Sequence, residues 1–577
     1  MSIRTNKMKA VGVVLKQLMT ARNRFDERGR DEAFDGKLEK LRLNLNKIKD
    51  VFERVKKNEE ELLDRLAEVY DHLRKLERRK LDEEMDGICK RIRDSAQKLV
   101  PMDGFDESYE EENHKAAQIF QPSQDLQQPH PESWTMEYLD RLEGITIECL
   151  MSLLMFPENA VISKRNVINL WIGEGWVQDR RLGEDMIKEL LKLKVIVCYG
   201  NRKSPIVNKF QILPGILRWL LESYVSKEII EHPGQYLKLC SEGGFVENRL
   251  GLKKKTITLG DWYFGDRTIH TVFNISASYL NFRPKWVTEL KKNLLVLQLG
   301  RWQDSPFHHI EVGSQEFLKD LANLTQLRYL SLRGISRIFE LPSSIVQLET
   351  LLILDLKACH NLETLPNDIS SMRSLTHLIL SQCYLLEGMP KGIDKLTELE
   401  VLKGFVISTP EKTPCRISNL VNLKKLRRLS IYIGREAVMR DWEFEGLEFV
   451  LALEHLKISW KGSDPSYGNI CLPPNLRKLH LECFPRKSFE ELFIPPKVHY
   501  LFPLRMQNVL RVRELNISGG KLESMDVDEK WRNVETLRLK YLKQLNVDVN
   551  NLKALFPRLR YVEIRQIANH SDIEHEY

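Results

Sequence analysis

The chain has 577 residues, 42% apolar and 29% charged, with 29 Gly and 23 Pro. Single cores stop growing at about 250–300 residues, so several folded units are expected, and the composition excludes a collagen-like or wholly disordered protein. The 88 Lys and Arg against 81 Asp and Glu leave a formal charge of +7, a small difference between interspersed sets that argues only weakly for nucleic acid. Nine cysteines, odd in number and never in CxxC pairs, point to a reducing compartment rather than to a disulfide framework or a zinc site.

At the N-terminus, Arg4, Lys7, Lys9, Lys16, Arg22 and Arg24 precede the first acid, Asp26. The apolar run AVGVVL is too short for a signal peptide, and Met8, Val11, Leu15 and Leu18 share one helical face. That favours a first bundle helix over membrane contact by the basic segment. From Phe34 the apolar residues recur in steps of four and three, through Leu38, Leu41, Leu45, Ile48, Phe52 and Val55, then Leu62, Leu66, Val69, Leu73 and Leu76. A 3.5-residue period over about six heptads predicts a helical coiled-coil domain over residues 1–100. Its seam pairs with its own second half or with another chain. Residues 101–137 are expected to form an acidic flexible linker, since 101–132 holds eight acids, one lysine and few aliphatic side chains.

Over 138–225, apolar faces in YLDRLEGITIECLMSLLMF, NVINLWIGEGWV and DMIKELLKLKVIVCYG suggest a small winged-helix-like domain. A DNA-reading helix needs base-reaching side chains, and the helix here, near 167–171, is mostly apolar and expected to be packed. Residues 226–290 read as a connecting segment.

From 291 to 577 the chain repeats itself. Leu330, Leu354, Leu378 and Leu402 stand 24 residues apart, and Leu341-Pro342 with Ile345, Leu365-Pro366 with Ile369 and Met389-Pro390 with Ile393 keep the same step. Eleven LxxLxL-like units, from LLVLQL at 294 to LRYVEI at 559, predict a leucine-rich-repeat solenoid, whose units bury their apolar faces only against their neighbours. The expected class is therefore multidomain α and α/β. Cys359 and Cys383 hold the ninth position of their units and are expected to pack in the stacked interior.

The x positions should line the concave wall. They give Arg328, Tyr329, Arg333, Arg427, Arg428, Tyr432, His455, Lys457, Trp460, Arg477, Lys478 and His480 as candidate partner-binding residues, because Arg, Tyr and Trp are enriched at binding hot spots. A protein surface rich in carboxylates would suit this wall, with nucleic acid as the rival ligand. No GxSxG, HExxH or kinase signature is present, and His308-His309 reads as a solvated loop. No catalytic, cofactor or metal site is expected.

The segment CLMSLLMFPENAVISKRNVINLWIGEGWV (149–177), followed by MIKELLKLKVIV and by repeats carrying LPNDI and MPKGIDKLTELEVLKGF, resembles plant intracellular immune receptors of the coiled-coil, nucleotide-binding, leucine-rich-repeat type. The wording of its repeats is most similar to the branch that holds kinase-like cytoplasmic proteins. That resemblance implies a nucleotide-binding module before the winged helix, but only the acidic stretch stands there. The Gly-Lys pairs at 36–37 and 520–521 are each followed by Leu and lack the upstream glycine of a phosphate-cradling loop. Where the family carries Met-His-Asp, this chain has Ile212, Leu213 and Pro214. The expectation is a non-enzymatic immune adaptor or regulator without a nucleotide switch. It would be cytoplasmic or peripheral at the plasma membrane, holding a protein, kinase-like by the resemblance, on the repeats. Its N-terminal helices would pair with themselves or with a related receptor. A ubiquitin-ligase substrate receptor and a truncated gene model are the alternatives; the long heptad seam disfavours a compact F-box.

Overall fold

The computed structural model describes Val14, Gln17, Leu18, Leu41 and Leu45, most of residues 148–212, short strands between 236 and 259, and most of 269–576. Val14, Leu18, Leu41 and Leu45 are helical and buried within the chain. The remaining seam positions Ile48, Phe52, Val55, Leu62, Leu66, Val69 and Leu73, the acidic stretch 101–137, and Leu213 with Pro214 lie outside the described residues.

A small unit precedes the repeats. It contains β1 (Ile162–Ser163), α1 (Lys164–Glu174), α2 (Arg180–Lys192), β2 (Ile196–Tyr199) and β3 (Lys209–Ile212). The three strands form an antiparallel sheet in the order β1-β3-β2. Asp179 starts α2, its Oδ1 accepting from the Leu182 N–H at 2.9 Å, as an N-cap side chain does. The helix near 167–171 is indeed packed: Val167, Ile168, Leu170 and Trp171 are all buried, and the Trp171 indole N–H donates to Ser152 Oγ at 2.8 Å.

The solenoid strands are β4 (Tyr236–Leu239), β5 (Thr271–Asn274), β6 (Val296–Gln298), β7 (Tyr329–Ser331), β8 (Ile353–Asp355), β9 (His377–Ile379) and β10 (Val401–Ile407). They continue as β11 (Arg428–Ile433), β12 (His455–Trp460), β13 (Lys478–Phe484), β14 (Glu514–Gly520), β15 (Thr536–Lys540), β16 (Tyr561–Arg565) and β17 (Ile573–Glu576). All fourteen join one sheet in chain order, parallel until β17 closes antiparallel on β16. The sheet thus begins before residue 291: β4 and β5 pair parallel, and β5 with β6, so part of the expected connecting segment belongs to the solenoid.

Register explains the 24-residue step. Leu330, Leu354, Leu378 and Leu402 are direct neighbours across β7 to β10, and the row continues through Leu429, Leu456, Leu479, Leu515, Leu537 and Val562. Each of these ten is 3% exposed or less. Truncating one such leucine to alanine costs about 2–5 kcal/mol. On the opposite side, Pro342 and Pro366 precede short 3-10 turns, Ser343–Gln347 and Asn367–Ser371, and Ile345 and Ile369 plug the interior. Cys359 and Cys383 are buried, and each thiol donates at 3.1 Å to a carbonyl of the preceding repeat, Leu332 and Leu356. Burial pushes the Cys359 thiol up to about 12, as expected of a packing group.

Candidate protein-binding face

Outward side chains of a parallel sheet align in columns, because register places every second residue beside its counterpart on the next strand. One column runs Thr271, Val296, Tyr329, Ile353, His377, Val401, Arg428, His455, Lys478, Glu514, Thr536 and Tyr561. A second runs Ser331, Asp355, Ile379, Lys403, Ser430, Lys457, His480, Asn516, Arg538 and Glu563. These columns are the wall, and its two ends differ.

At the N-terminal end the wall is covered. Helix α1 lies on it, and Val296, Tyr329 and Ile353 belong to the same apolar cluster as Val167, Leu170 and Trp171. Contact is so close that a Cβ on Gly173 would stand 2.6 Å from Tyr329 Cβ and 3.0 Å from Val296 Cγ2. Only glycine fits there. Phe156 fits edge-on between Phe273 and Trp302, with centroids 5.3 and 5.2 Å away. Polar contacts frame the seam: Asn166 Nδ2 donates to the Trp302 carbonyl at 2.6 Å, and Arg333 Nη1 donates to Asn166 Oδ1 at 3.0 Å. Thr271 donates its hydroxyl to Glu174, whose carboxyl burial raises to about 8 despite the opposing charge of Arg328. Further along, Arg181 of α2 reaches Glu454 at 3.6 Å, and Arg427 meets the same carboxylate at 4.0 Å.

From β12 onward the wall keeps partly exposed side chains, Lys457, Lys478, His480 and Arg538, and its charges are paired, the carboxylates of Glu514 and Glu563 being themselves buried. Lys457 Nζ lies 2.8 Å from Glu482, which also accepts from Ser459 Oγ at 2.7 Å. Against its partial burial, the Lys457 charge and these two hydrogen bonds hold the Glu482 carboxyl below the usual carboxylate range. Burial, then the Lys457 charge, pushes His480 down to about 4. Lys478 Nζ sits 2.6 Å from Glu514, which Arg538 also contacts. Arg538 Nε and Lys540 Nζ converge on Glu563 at 3.2 and 2.7 Å, and the Arg538 guanidinium lies 5.4 Å from the centroid of Tyr561.

The structure therefore sorts the candidate residues. Arg427, Arg428, Tyr432, His455, Lys457, Lys478 and His480 are half-buried on the wall, Arg477 is exposed at its edge, and half-buried Arg328 abuts Gly175 at the end of α1. Three candidates are not available. Tyr329 is 3% exposed under α1 and donates its hydroxyl to Gln298 Oε1 at 2.8 Å. Arg333 is likewise buried against Asn166. Trp460 points into the core beside Phe484, because Leu456, Ile458 and Trp460 share the inward parity of β12. The basic wall was also overread, since Glu482, Glu514 and Glu563 pair with its cations.

Asn516, Arg538 and Glu563 were missed. They stand at the x position between the last two inward residues of VRELNI, VETLRL and LRYVEI, where parity alone would have found them. The covered end had a signal too: Val296, Tyr329 and Ile353 are apolar at outward positions, which a solvated wall would not carry. Among the described residues no group of His, Cys, Asp and Glu could hold a metal ion, and no helix is long and apolar enough to cross a membrane.

Residues 290–568 match a family model described as a leucine-rich repeat region. This part of the chain is a leucine-rich repeat region. Over 445 residues the chain is 26% identical to disease resistance RPP13-like protein 4 of Arabidopsis thaliana, covering 73% of this chain and 48% of that protein. It thus spans about half the length of that relative. Among solved structures, a Leptospira interrogans leucine-rich repeat protein aligns at 18% identity over 52% of this chain and 76% of its own, with a TM-score of 0.31. A structure titled PEPR1-AtPEP1 aligns at 16% identity over 57% of this chain and 50% of its own, with a TM-score of 0.27.

Proposed function

We propose that the chain is a non-enzymatic, disease-resistance-like plant protein that works by holding another protein on the open half of its repeat wall. The carrying observation is the run of ion pairs on β12 to β16, in which the partly exposed cations Lys457, Lys478 and Arg538 are each fixed by a carboxylate on the next strand, Glu482, Glu514 and Glu563, the last two buried. Side chains ordered in this way lose little entropy on binding, which is how a preformed wall gains affinity. The alternation of Lys457, Glu482, Lys478, Glu514, Arg538 and Glu563 suits a partner of mixed charge, where a single-sign wall would have suited carboxylates. In this reading α1 and α2 belong to a winged-helix-like unit that occupies the other half of the wall, the protein acts in the cytoplasm, and no adenine-nucleotide switch operates in it.

The test uses immobilised full-length protein and plant-cell extract, with and without nuclease. The double substitution Lys457→Glu with Arg538→Glu reverses the charge at two wall positions, while Lys425→Glu alters an exposed residue off the wall. The expected outcome is one set of captured proteins, kept after nuclease and by Lys425→Glu, and lost with the double variant. Equal capture by all three forms, or loss of everything on nuclease treatment, would mean that the wall or the ligand class is wrong.

A further inference from the structure

Charge is paired on the face of the wall but left over along one of its edges. The residues immediately before β13, β14, β15 and β16 are Arg477, Arg513, Glu535 and Arg560. The N–H of each donates at 2.8 Å to the carbonyl of its counterpart one unit earlier: Arg477 to Glu454, Arg513 to Arg477, Glu535 to Arg513 and Arg560 to Glu535. They therefore stand in one file, with neighbours about 4.8 Å apart, the spacing of paired strands. Two residues earlier in each unit runs a second file, Asn475, Arg511, Asn533 and Arg558, and Arg532 adjoins Asn533 in the chain.

A repeated contact orders the second file. Asn475 Nδ2 donates to the Leu451 carbonyl of the preceding unit at 2.9 Å, and its Oδ1 accepts from Arg511 Nη1 at 2.9 Å. Asn533 does the same between the Leu510 carbonyl at 2.7 Å and Arg558 Nη1 at 2.9 Å. A neutral amide thus positions each of these arginines, and a guanidinium has five N–H donors, so its charge and most of its donors stay available. Arg477, Arg532 and Arg560 make no side-chain hydrogen bond or ion pair among the described residues. Arg513 meets Glu535 at 3.9 Å with 68% of its side chain exposed, a contact that water screens. All six arginines are exposed. Earlier units of the same edge pair their cations, with Lys425 2.5 Å from Glu398 and Arg427 4.0 Å from Glu454. Over 475–477, 511–513, 532–535 and 557–560, by contrast, six arginines are set against one carboxylate, Glu535.

We propose that this arginine edge binds an acidic segment of a protein, a run of aspartate and glutamate side chains laid across β13 to β16 beside the open part of the wall. It gives the protein partner proposed above a second contact, and rests on that reading only for the partner's being a protein. Arginine suits the task because its planar fork pairs with a carboxylate through two parallel N–H donors. A nucleic-acid backbone fits less well. Glu454 and Glu535 stand in the first file and repel a continuous run of phosphates, and neither file holds an aromatic ring on which a base could stack.

The experiment follows a fluorescently labelled decaglutamate peptide by anisotropy as the full chain is added at constant ionic strength, beside a decaglutamine control. Saturable binding is expected for decaglutamate alone, weakening as salt is raised. Arg477→Gln with Arg560→Gln removes two exposed charges, so it should leave the melting temperature unchanged while weakening binding about tenfold or more. Lys425→Gln, on the paired part of the same edge, and Lys457→Gln, on the wall, should each keep the affinity within about threefold. Undiminished binding by the Arg477, Arg560 double variant, equal weakening by Lys425→Gln, or no saturable binding overturns the proposal. So does tighter binding of decathymidylate or of phosphatidylserine vesicles than of the peptide. Failure here is separable from failure of the wall reading. Extract capture lost with Lys457→Glu and Arg538→Glu, in a protein that does not bind decaglutamate, sinks the arginine edge alone; decaglutamate binding with capture unmoved by that variant sinks the wall alone.

Discussion

The two halves of the concave wall have the same backbone and opposite surfaces. On β6 to β8 the first outward column is apolar, with Val296, Tyr329 and Ile353, and helix α1 covers it; on β12 to β15 that column turns to His455, Lys478, Glu514 and Thr536, of which His455 and Lys478 stay partly exposed. The inward leucine row runs through both without change. Fold and use are therefore written on alternate residues of each strand, and parity separates them. An inward residue answers to the stack; an outward one answers to whatever lies on the wall.

The sharpest way to break this division is at Trp460, an inward residue of the open half. Trp460→Ala should cost about 3–5 kcal/mol of stability in denaturant unfolding, with little direct effect on partner affinity. The indole N–H has no acceptor among the described residues, so Trp460→Phe should retain most of the stability. A large affinity loss in a normally stable Trp460→Ala protein would show that the ring reaches the wall. Gly173→Ala probes the covered half. Its new methyl meets Tyr329 and Val296, so about 1–3 kcal/mol of overpacking should lift α1 from the wall. Hydrogen exchange should rise in α1 and on β7 while β12 to β15 keep their protection.

Much of this architecture was legible because a solenoid repeats its own instructions. Two features in one 24-residue phase, the leucine row and the Leu-Pro-x-x-Ile turns, determined the strands, the turns and the fates of Cys359 and Cys383. Less was legible where no repeat is kept. Strand β4, which begins 58 residues before Leu294, pairs through β5 without an LxxLxL unit to announce it. The wall itself was read by residue type, which made Trp460 an anchor because it is a tryptophan. Burial of Tyr329 and Arg333 depends on a helix some 160 residues earlier in the chain, contacts that no local pattern encodes.

Acid should act through the boundary between the halves. His377 is 4% exposed, and burial, then Arg180, Lys403, Arg428 and Arg165, push it down to about 3. The unfolded chain protonates this histidine near pH 6.5 while the folded chain does not. Stability is thus fully present above pH 6.5 and falls as pH drops from there toward 3, by up to about 1.4 kcal/mol per pH unit for this one group. His455, driven to about 2 by burial and by Arg428, adds a loss of the same sign. Urea midpoints between pH 7 and 5, in phosphate-free buffer, should fall for the wild type and flatten for His377→Gln. An equal slope in both would place the titration elsewhere.

The smallest effect separates wall from core most cleanly. Lys457 pairs with Glu482 at 2.8 Å, yet more than a third of each side chain is exposed, so solvent screens the attraction. Lys457→Ala should therefore change stability by less than about 1 kcal/mol. For binding the expectation is different, because the lysine orders Glu482 on the open wall and adds a charge that a partner meets on approach. A charge of this kind acts on the encounter rate, so Lys457→Ala should slow association and weaken its salt dependence while leaving dissociation nearly unchanged. Surface-resonance kinetics at two salt concentrations, on a partner first captured by the wild type, measure both rates. If Lys457→Ala instead unfolds the protein, the pair belongs to the core. If association keeps its rate and its salt slope, the partner lies elsewhere on the solenoid.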